Sequence, residues 1–334
     1  LTTNTLDVTD FVDEYQTGDQ IATRVASSDV LQQLAKANPQ FWGGAADLAS
    51  SNKTALKDDG NFTPDNYAGR NVYYGVREFG AATATNGINL HGGSRAYVST
   101  FMVFSDYLKA AIRLAAIQHL PSIFIFTHDS LAVGEDGPTH EPIEQLAMLR
   151  TIPNVQVFRP ADAHETVEAW KVIAKTTDKP SVLIASRQKL PVLDETKGAD
   201  VEKGAYIISP AKTQEPDGIL LASGSEVSLA LEVKAKLQKQ GDYDIQVVSV
   251  PSIERFKEQS ADYQEQVLPT GVRHRLAVEM GNTQAWYQFV GLDGRVVGVD
   301  TFGKSGKGPE VVADYGFTVD HVVDVFNKMW EDQN

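Results

Sequence analysis

Short apolar runs separated by longer helical patterns constrain this chain more than any other feature. The run Ser122-Ile123-Phe124-Ile125-Phe126-Thr127 is too short for a helix, and it is apolar without alternation, as a strand covered on both faces must be. Comparable runs lie at 41–46, 71–76, 96–101, 155–158 and 181–186, and helical periodicity fills intervals such as 19–38, 107–119 and 163–176. Strands joined through helices make a parallel, doubly wound α/β sheet. The pattern lapses over about 188–204, a charged, proline-containing stretch, and then resumes. Further strands are expected at 218–222, 245–249, 274–278 and 295–299, with helices at 226–240 and 319–330. The expected organisation is a linker over 1–16, an α/β domain over 17–190, a linker over 191–204 and a second mostly parallel α/β domain over 205–334, two domains being ordinary for 334 residues.

Composition narrows the function. A net charge of −14 repels nucleic acid and anionic membrane surfaces, and no basic stripe interleaved with aromatics overrides it. No apolar run reaches membrane-spanning length. The chain has no cysteine, so disulfides, thiolate metal sites and a cysteine nucleophile are excluded, in keeping with a cytoplasmic location. In so acidic a protein an anionic ligand such as a phosphate ester must be held by particular arginines.

Open parallel sheets bind ligands beyond the carboxyl ends of their strands. There the sequence places Asp47 and Ser51 after the first strand, Arg77 and Glu78 after the second, Phe101 and Phe104 at the third, His128 to His140 after the fourth, and Arg187 after the last. Arginines, histidines, carboxylates and aromatics on one edge suit an anionic, hydroxyl-rich ligand. Individually these residues admit two readings. Glu78, in Gly75-Val76-Arg77-Glu78-Phe79-Gly80, is either a first-turn glutamate answering the helix dipole or a desolvated carboxyl with a raised pKa, suited to proton exchange. Phe101, Phe104 and Tyr107, three apart, are either core packing or a ligand surface, and Arg24 and Arg187 either surface ion-pair partners or anion ligands.

Together, Gly75 to Ala82, the run Gly134-Glu135-Asp136-Gly137-Pro138-Thr139-His140, Ile21-Ala22-Thr23-Arg24, Gly43 to Leu48, Ala185 to Gln188 and Gly316 to Asp320 resemble the thiamine-diphosphate-dependent transketolases along the whole chain. The resemblance implies a pyrimidine-binding domain followed by the transketolase carboxyl-terminal domain. It also implies transfer of a two-carbon ketol unit from a ketose phosphate to an aldose phosphate, in the pentose phosphate pathway, by a cytoplasmic homodimer. It makes Glu78 the carboxyl at the aminopyrimidine ring nitrogen, Phe101, Phe104 and Tyr107 the pyrimidine pocket, and Asp47 a residue near the cofactor and the subunit interface. Arg24, Ser51, His128 and Arg187 match groups that hold the sugar phosphate, Asp136 the carboxylate that reads hydroxyl stereochemistry, and His140 the histidine beside the reacting carbon. Family members bind Mg²⁺ and diphosphate through a Gly-Asp-Gly motif that this chain lacks. The chain therefore resembles the latter half of the enzyme, with metal ligands expected in a separate diphosphate-binding segment supplied in cis or in trans, and no activity expected without it.

Rival readings are a catalytically inert module that only dimerises, and the related dihydroxyacetone and deoxyxylulose-phosphate synthases. A further rival is a nucleotide-binding loop, because Gly298-Val299-Asp300-Thr301-Phe302-Gly303-Lys304-Ser305 has the right spacing. It is disfavoured because its first glycine lies in a strand pattern, and Gly306, Gly308 and Pro309 are expected to break the helix that should follow at once.

Overall fold

The computed structural model describes residues 5–241 and 243–332. The start of the expected 1–16 linker and the end of the expected 205–334 domain thus fall partly outside the described residues. In chain order the strands are β1 (Gln20–Ile21), β2 (Phe41–Ala45), β3 (Asn71–Tyr73), β4 (Arg95–Phe101), β5 (Ile123–Thr127), β6 (Gln156–Phe158), β7 (Ser181–Ala185), β8 (Leu190–Pro191), β9 (Tyr206–Ser209), β10 (Gly218–Ala222), β11 (Ile245–Ser249), β12 (Arg275–Val278) and β13 (Arg295–Val297). The first main sheet has the order β3-β2-β4-β5-β7-β6, all parallel. The second has the order β13-β12-β10-β11-β9, parallel except for the edge strand β9. The α/β fold with mostly parallel sheets is as the sequence implies.

Burial on both faces explains the apolar runs. In β5, Ile123 and Ile125 pack with Val30, Leu34 and Trp170 under the helices Thr23–Ala37 and Ala163–Lys175. The alternate residues Phe124 and Phe126 pack with Ala82, Leu108 and Ile112 under the helices Glu78–His91 and Ser105–Ile117. A polar residue on either side of this strand would lose apolar burial worth roughly 1.5–3 kcal/mol. The second sheet is covered likewise, and its core takes in Leu131, Ile143 and Ala161 from the first half, so the two halves share apolar packing.

The structure departs from the sequence reading where local geometry prevails. β3 ends at Tyr73 rather than 76, because Gly75 turns the chain with φ +66° and Arg77 caps that turn onto Gly75 O. The first helix starts at Thr23, since Gln20 and Ile21 pair antiparallel with Pro191 and Leu190. The antiparallel strand β9 has no counterpart in the sequence reading. Both expected linker segments are packed: Leu6 is buried against Val30 and Leu34, Asp13 pairs with His164 at 2.6 Å, and Val192, Thr196 and Val201 are buried. Pro309 opens the helix Gly308–Asp314 instead of breaking it, in the first turn where its missing N–H costs nothing.

Candidate active site

The order of the first sheet reverses between β2 and β4, so loops leaving them diverge and open a crevice at their carboxyl ends. Phe101 ends β4 and His128 follows β5 directly. Their rings stack with centroids 3.7 Å apart and planes 27° apart. Phe104 lies nearly parallel to Phe101 at 6.1 Å and 7°, and Tyr107 continues the row at 6.2 Å. His140 meets the edges of this row, 6.1 Å from Phe101 and 5.5 Å from Phe104. Phe101 is buried while Tyr107 is 63% exposed, so the stripe leaves the core and becomes a surface.

His128 is fixed from below. Its φ is +61°, and the ring is 3% exposed. Thr127 Oγ1 donates to Asn52 Oδ1 at 2.7 Å, which leaves a lone pair for the Nδ1–H of His128 at 2.8 Å. The ring proton therefore sits on Nδ1, and Nε2 accepts from Arg24 Nη1 at 3.5 Å. Burial, then Arg24, Arg187 and His140, push the His128 pKa down to about 3, so the imidazole is neutral. The sequence offered a hint in Thr127, adjacent in the chain, and none for Asn52.

Arg24 Nη1 also donates to Ser51 O at 2.8 Å, while its buried Nε has no hydrogen-bond partner. Burial, then the charge of Arg187, lower its pKa. No carboxylate pairs with either arginine among the described residues. Two guanidinium groups without a carboxylate partner beside a buried neutral histidine are chemically suited to take up an anion. Arg24, Ser51, His128 and Arg187 are thus brought together, as are Phe101, Phe104, Tyr107 and His140.

Asp136 is exposed on the loop before His140, whose Nδ1 lies 2.9 Å from Thr139 Oγ1. Asp47 is exposed just beyond β2 with φ +65°. Glu78 begins the helix Glu78–His91, half-buried, and Val76, Arg77 and Phe79 around it are exposed. The apolar enclosure that the sequence suggested for Glu78 is therefore not made by its neighbours in the chain.

The sequence reading missed a second cluster, at the carboxyl ends of β10 and β12 where the halves meet. Arg159 Nη1 pairs with Glu226 at 2.5 Å and its Nη2 with Asp129 at 2.9 Å, while Arg150 pairs with Glu279 at 2.8 Å. Trp286 Nε1 donates to Glu279 Oε2 at 2.7 Å, and Ser223 Oγ donates to its other oxygen. All five charged side chains are almost wholly buried. Burial pushes Glu279 up, but Arg150 and Arg159 together outweigh it and hold the carboxyl below its ordinary range. Ser223 and Glu226, just beyond β10, are thus both taken up by this cluster.

Comparison with known proteins accords with this geometry. Residues 19–192 match the family model described as transketolase, pyrimidine binding domain, and residues 204–318 match the transketolase-like TK C-terminal domain. Transketolase of Bacillus subtilis is 52% identical over 312 residues, covering 92% of this chain and 47% of that protein. Among solved structures, transketolase of Campylobacter jejuni is similar with TM-score 0.89 and 42% identity, over 96% of this chain and 49% of that one. A Pichia stipitis transketolase solved in complex with sedoheptulose 7-phosphate is similar with TM-score 0.89 and 38% identity, over 94% and 46%. The chain spans about half the length of the curated relatives it matches. With one family model matching over half its residues and a second following in order, the chain belongs to the transketolase family.

Proposed function

We propose that this chain supplies the pyrimidine side of a thiamine-diphosphate site, and much of the sugar-phosphate site, of a transketolase that moves a two-carbon ketol unit from a ketose phosphate to an aldose phosphate. The observation that carries this reading is the uncompensated Arg24, Arg187 and His128 group beside an aromatic row that becomes exposed. The exposed faces of Phe104 and Tyr107 suit a flat heteroaromatic ring, and Glu78 stands at a helix start on the same edge. Bound thiamine diphosphate supplies the electron sink that lets a carbon–carbon bond next to a carbonyl be broken and remade.

The roles of the protein groups follow from their chemistry. Glu78 holds a proton for a ring nitrogen, and Phe101, Phe104 and Tyr107 hold the ring and keep water from it. Arg24, Ser51, His128 and Arg187 bind the sugar phosphate. Asp136 accepts from a sugar hydroxyl, His140 holds a proton beside the reacting carbonyl, and Asp47 lies at the rim shared by cofactor and partner. Among the described residues no group of three or more His, Asp or Glu is placed to hold a metal ion. We assign Mg²⁺ and the diphosphate to a further segment, in cis or in trans. We divide the chain into a pyrimidine-binding domain over 17–190 and a carboxyl-terminal domain over 205–334, joined through 191–204, with 1–16 leading in. Exposed Phe79, Leu90, Tyr107, Leu114 and Ile117 on paired helices next to the site suit a homodimer contact. No helix among the described residues is long and apolar enough to cross a membrane. A cytoplasmic location goes with this reading.

Calorimetric titration with thiamine diphosphate and Mg²⁺ tests the division of labour. The chain alone should show no appreciable magnesium-dependent affinity and no ketol transfer, both returning when a diphosphate-binding segment is added. Micromolar, magnesium-dependent binding to the chain alone would overturn the assignment.

A further inference from the structure

The Gly298 to Ser305 run has no part in the reading above, yet it lies against the loop that carries Asp136 and His140. Ser305 Oγ donates to Glu135 O at 2.7 Å, and Gly306 N approaches Gly134 O at 3.4 Å. Glycines line both sides of the contact. A Cβ on Gly134 would stand 2.6 Å from Gly308 N, one on Gly308 2.7 Å from Ala132 O, and one on Gly137 3.2 Å from Ser305 Cβ. Gly134 and Gly137 have φ of +77° and +73°, so side chains are excluded there by conformation as well as by space.

One polar group is caught in this glycine seam. Glu141, the residue after His140, is 2% exposed, and its carboxyl fills the space that a Cβ on Gly303 would take. Neither oxygen makes a well-formed hydrogen bond, although the amides of Gly134 and Lys304 stand beside it. Burial pushes its pKa up to about 7, those amides oppose the shift, and Asp136 adds to it. His140 and Asp136 share its loop, and from the facing segment Lys304 and Lys307 turn their ammonium groups to Asp314 and Glu310. A buried carboxyl without a firm partner is costly, and this one sits where the two loops meet.

We propose that residues 303–308 of the second half form the seat of the loop carrying Asp136 and His140, and that Glu141, clasped between the two, is the positioning residue that sets His140. What the loop then does rests on the transketolase reading; the seat itself does not. As pH rises through about 7 the carboxyl gains a charge that its seat does not pair, and the loop shifts.

The test is a proton–carbon NMR titration of the histidine rings in the whole chain, with the His140 signal assigned by its loss in His140→Gln. The His140 signal should carry an inflection near pH 7 that comes from Glu141, and Glu141→Gln should remove that inflection while leaving the low-pH signal in place. Gly303→Ala puts a methyl group where the carboxyl lies and should move the His140 signal as Glu141→Ala does. With the diphosphate-binding segment supplied, Gly303→Ala should lower kcat about tenfold with little change in KM, a positional fault of this kind costing far more in turnover than in binding. A His140 titration indifferent to both Glu141→Gln and Gly303→Ala overturns the proposal. If Gly303→Ala fails to fold, Glu141→Gln decides alone. If the assembled protein transfers no ketol unit, the functional reading fails while the ring titration still decides the seat.

Discussion

The carboxyl edges of the two main sheets use the same materials to opposite ends. At the first edge Arg24 and Arg187 face His128 without a carboxylate partner, and the positive charge is left open. At the second edge Arg150 and Arg159 are matched by Asp129, Glu226 and Glu279, each pair at 2.5–2.9 Å and almost wholly buried. Charge that is paired inside the protein holds the protein together, and charge left unpaired beside a crevice is free to take up an anion. Counting arginines and carboxylates would not tell these edges apart. Only their pairing does.

The sharpest way to break the contrast is Arg159→Ala. It strands buried carboxylates on both halves and should cost about 3–5 kcal/mol of stability, read by urea unfolding. Arg187→Ala, on the open edge, should cost under about 1 kcal/mol in the same assay. Comparable losses for the two variants would erase the distinction.

On the open edge the penalties belong in the kinetics. With the diphosphate-binding segment supplied, Glu78→Gln should cut turnover by about two orders of magnitude or more, since a placed proton-transfer group contributes roughly 10²- to 10⁴-fold. Near-normal turnover at saturating cofactor would remove Glu78 from the site. Arg187→Ala should raise KM for phosphorylated sugars by about tenfold and leave unphosphorylated donors much less affected, as loss of a charge-assisted contact of roughly 1.5–3 kcal/mol implies. Equal losses on both kinds of donor would count against the phosphate seat.

The smallest effect concerns His128. Burial and its cationic neighbours hold it neutral down to about pH 3, below its ordinary value of 6.5. Its folded pKa is depressed, so the stability it contributes is complete above about 6.5 and is lost as pH falls toward about 3. Inorganic phosphate bound beside it offsets Arg24 and Arg187 and should raise the pKa by roughly one unit, visible in its ring protons. No shift with saturating phosphate would show that the anion binds elsewhere.

The main sheets were legible because β5 and its neighbours are buried on both faces and so cannot hide a polar residue. β9 was not, because its burial alternates and it adjoins the charged stretch after β8. Most of the candidate site was readable, since Arg24, His128 and Arg187 each follow or face a strand end and His140 lies in a distinctive run. The paired cluster was unreadable: Asp129, Arg159, Glu226 and Glu279 are far apart in the chain, and each taken alone has the look of a solvated charge. Glu141 was hidden in the same way, because its neighbour across the seam is a glycine of the other half.

Arg159 leaves β6 and grips Asp129 after β5 with one arm and Glu226 after β10 with the other. That grip bears on whether the halves can be parted. Two pieces parted in the stretch between β8 and β9 would each carry part of the ion-pair cluster and an opened apolar core, and neither could keep its ions dry alone. As far as the fold is concerned the two sheets are for that reason one block, and parting them would uncover charge as well as apolar surface.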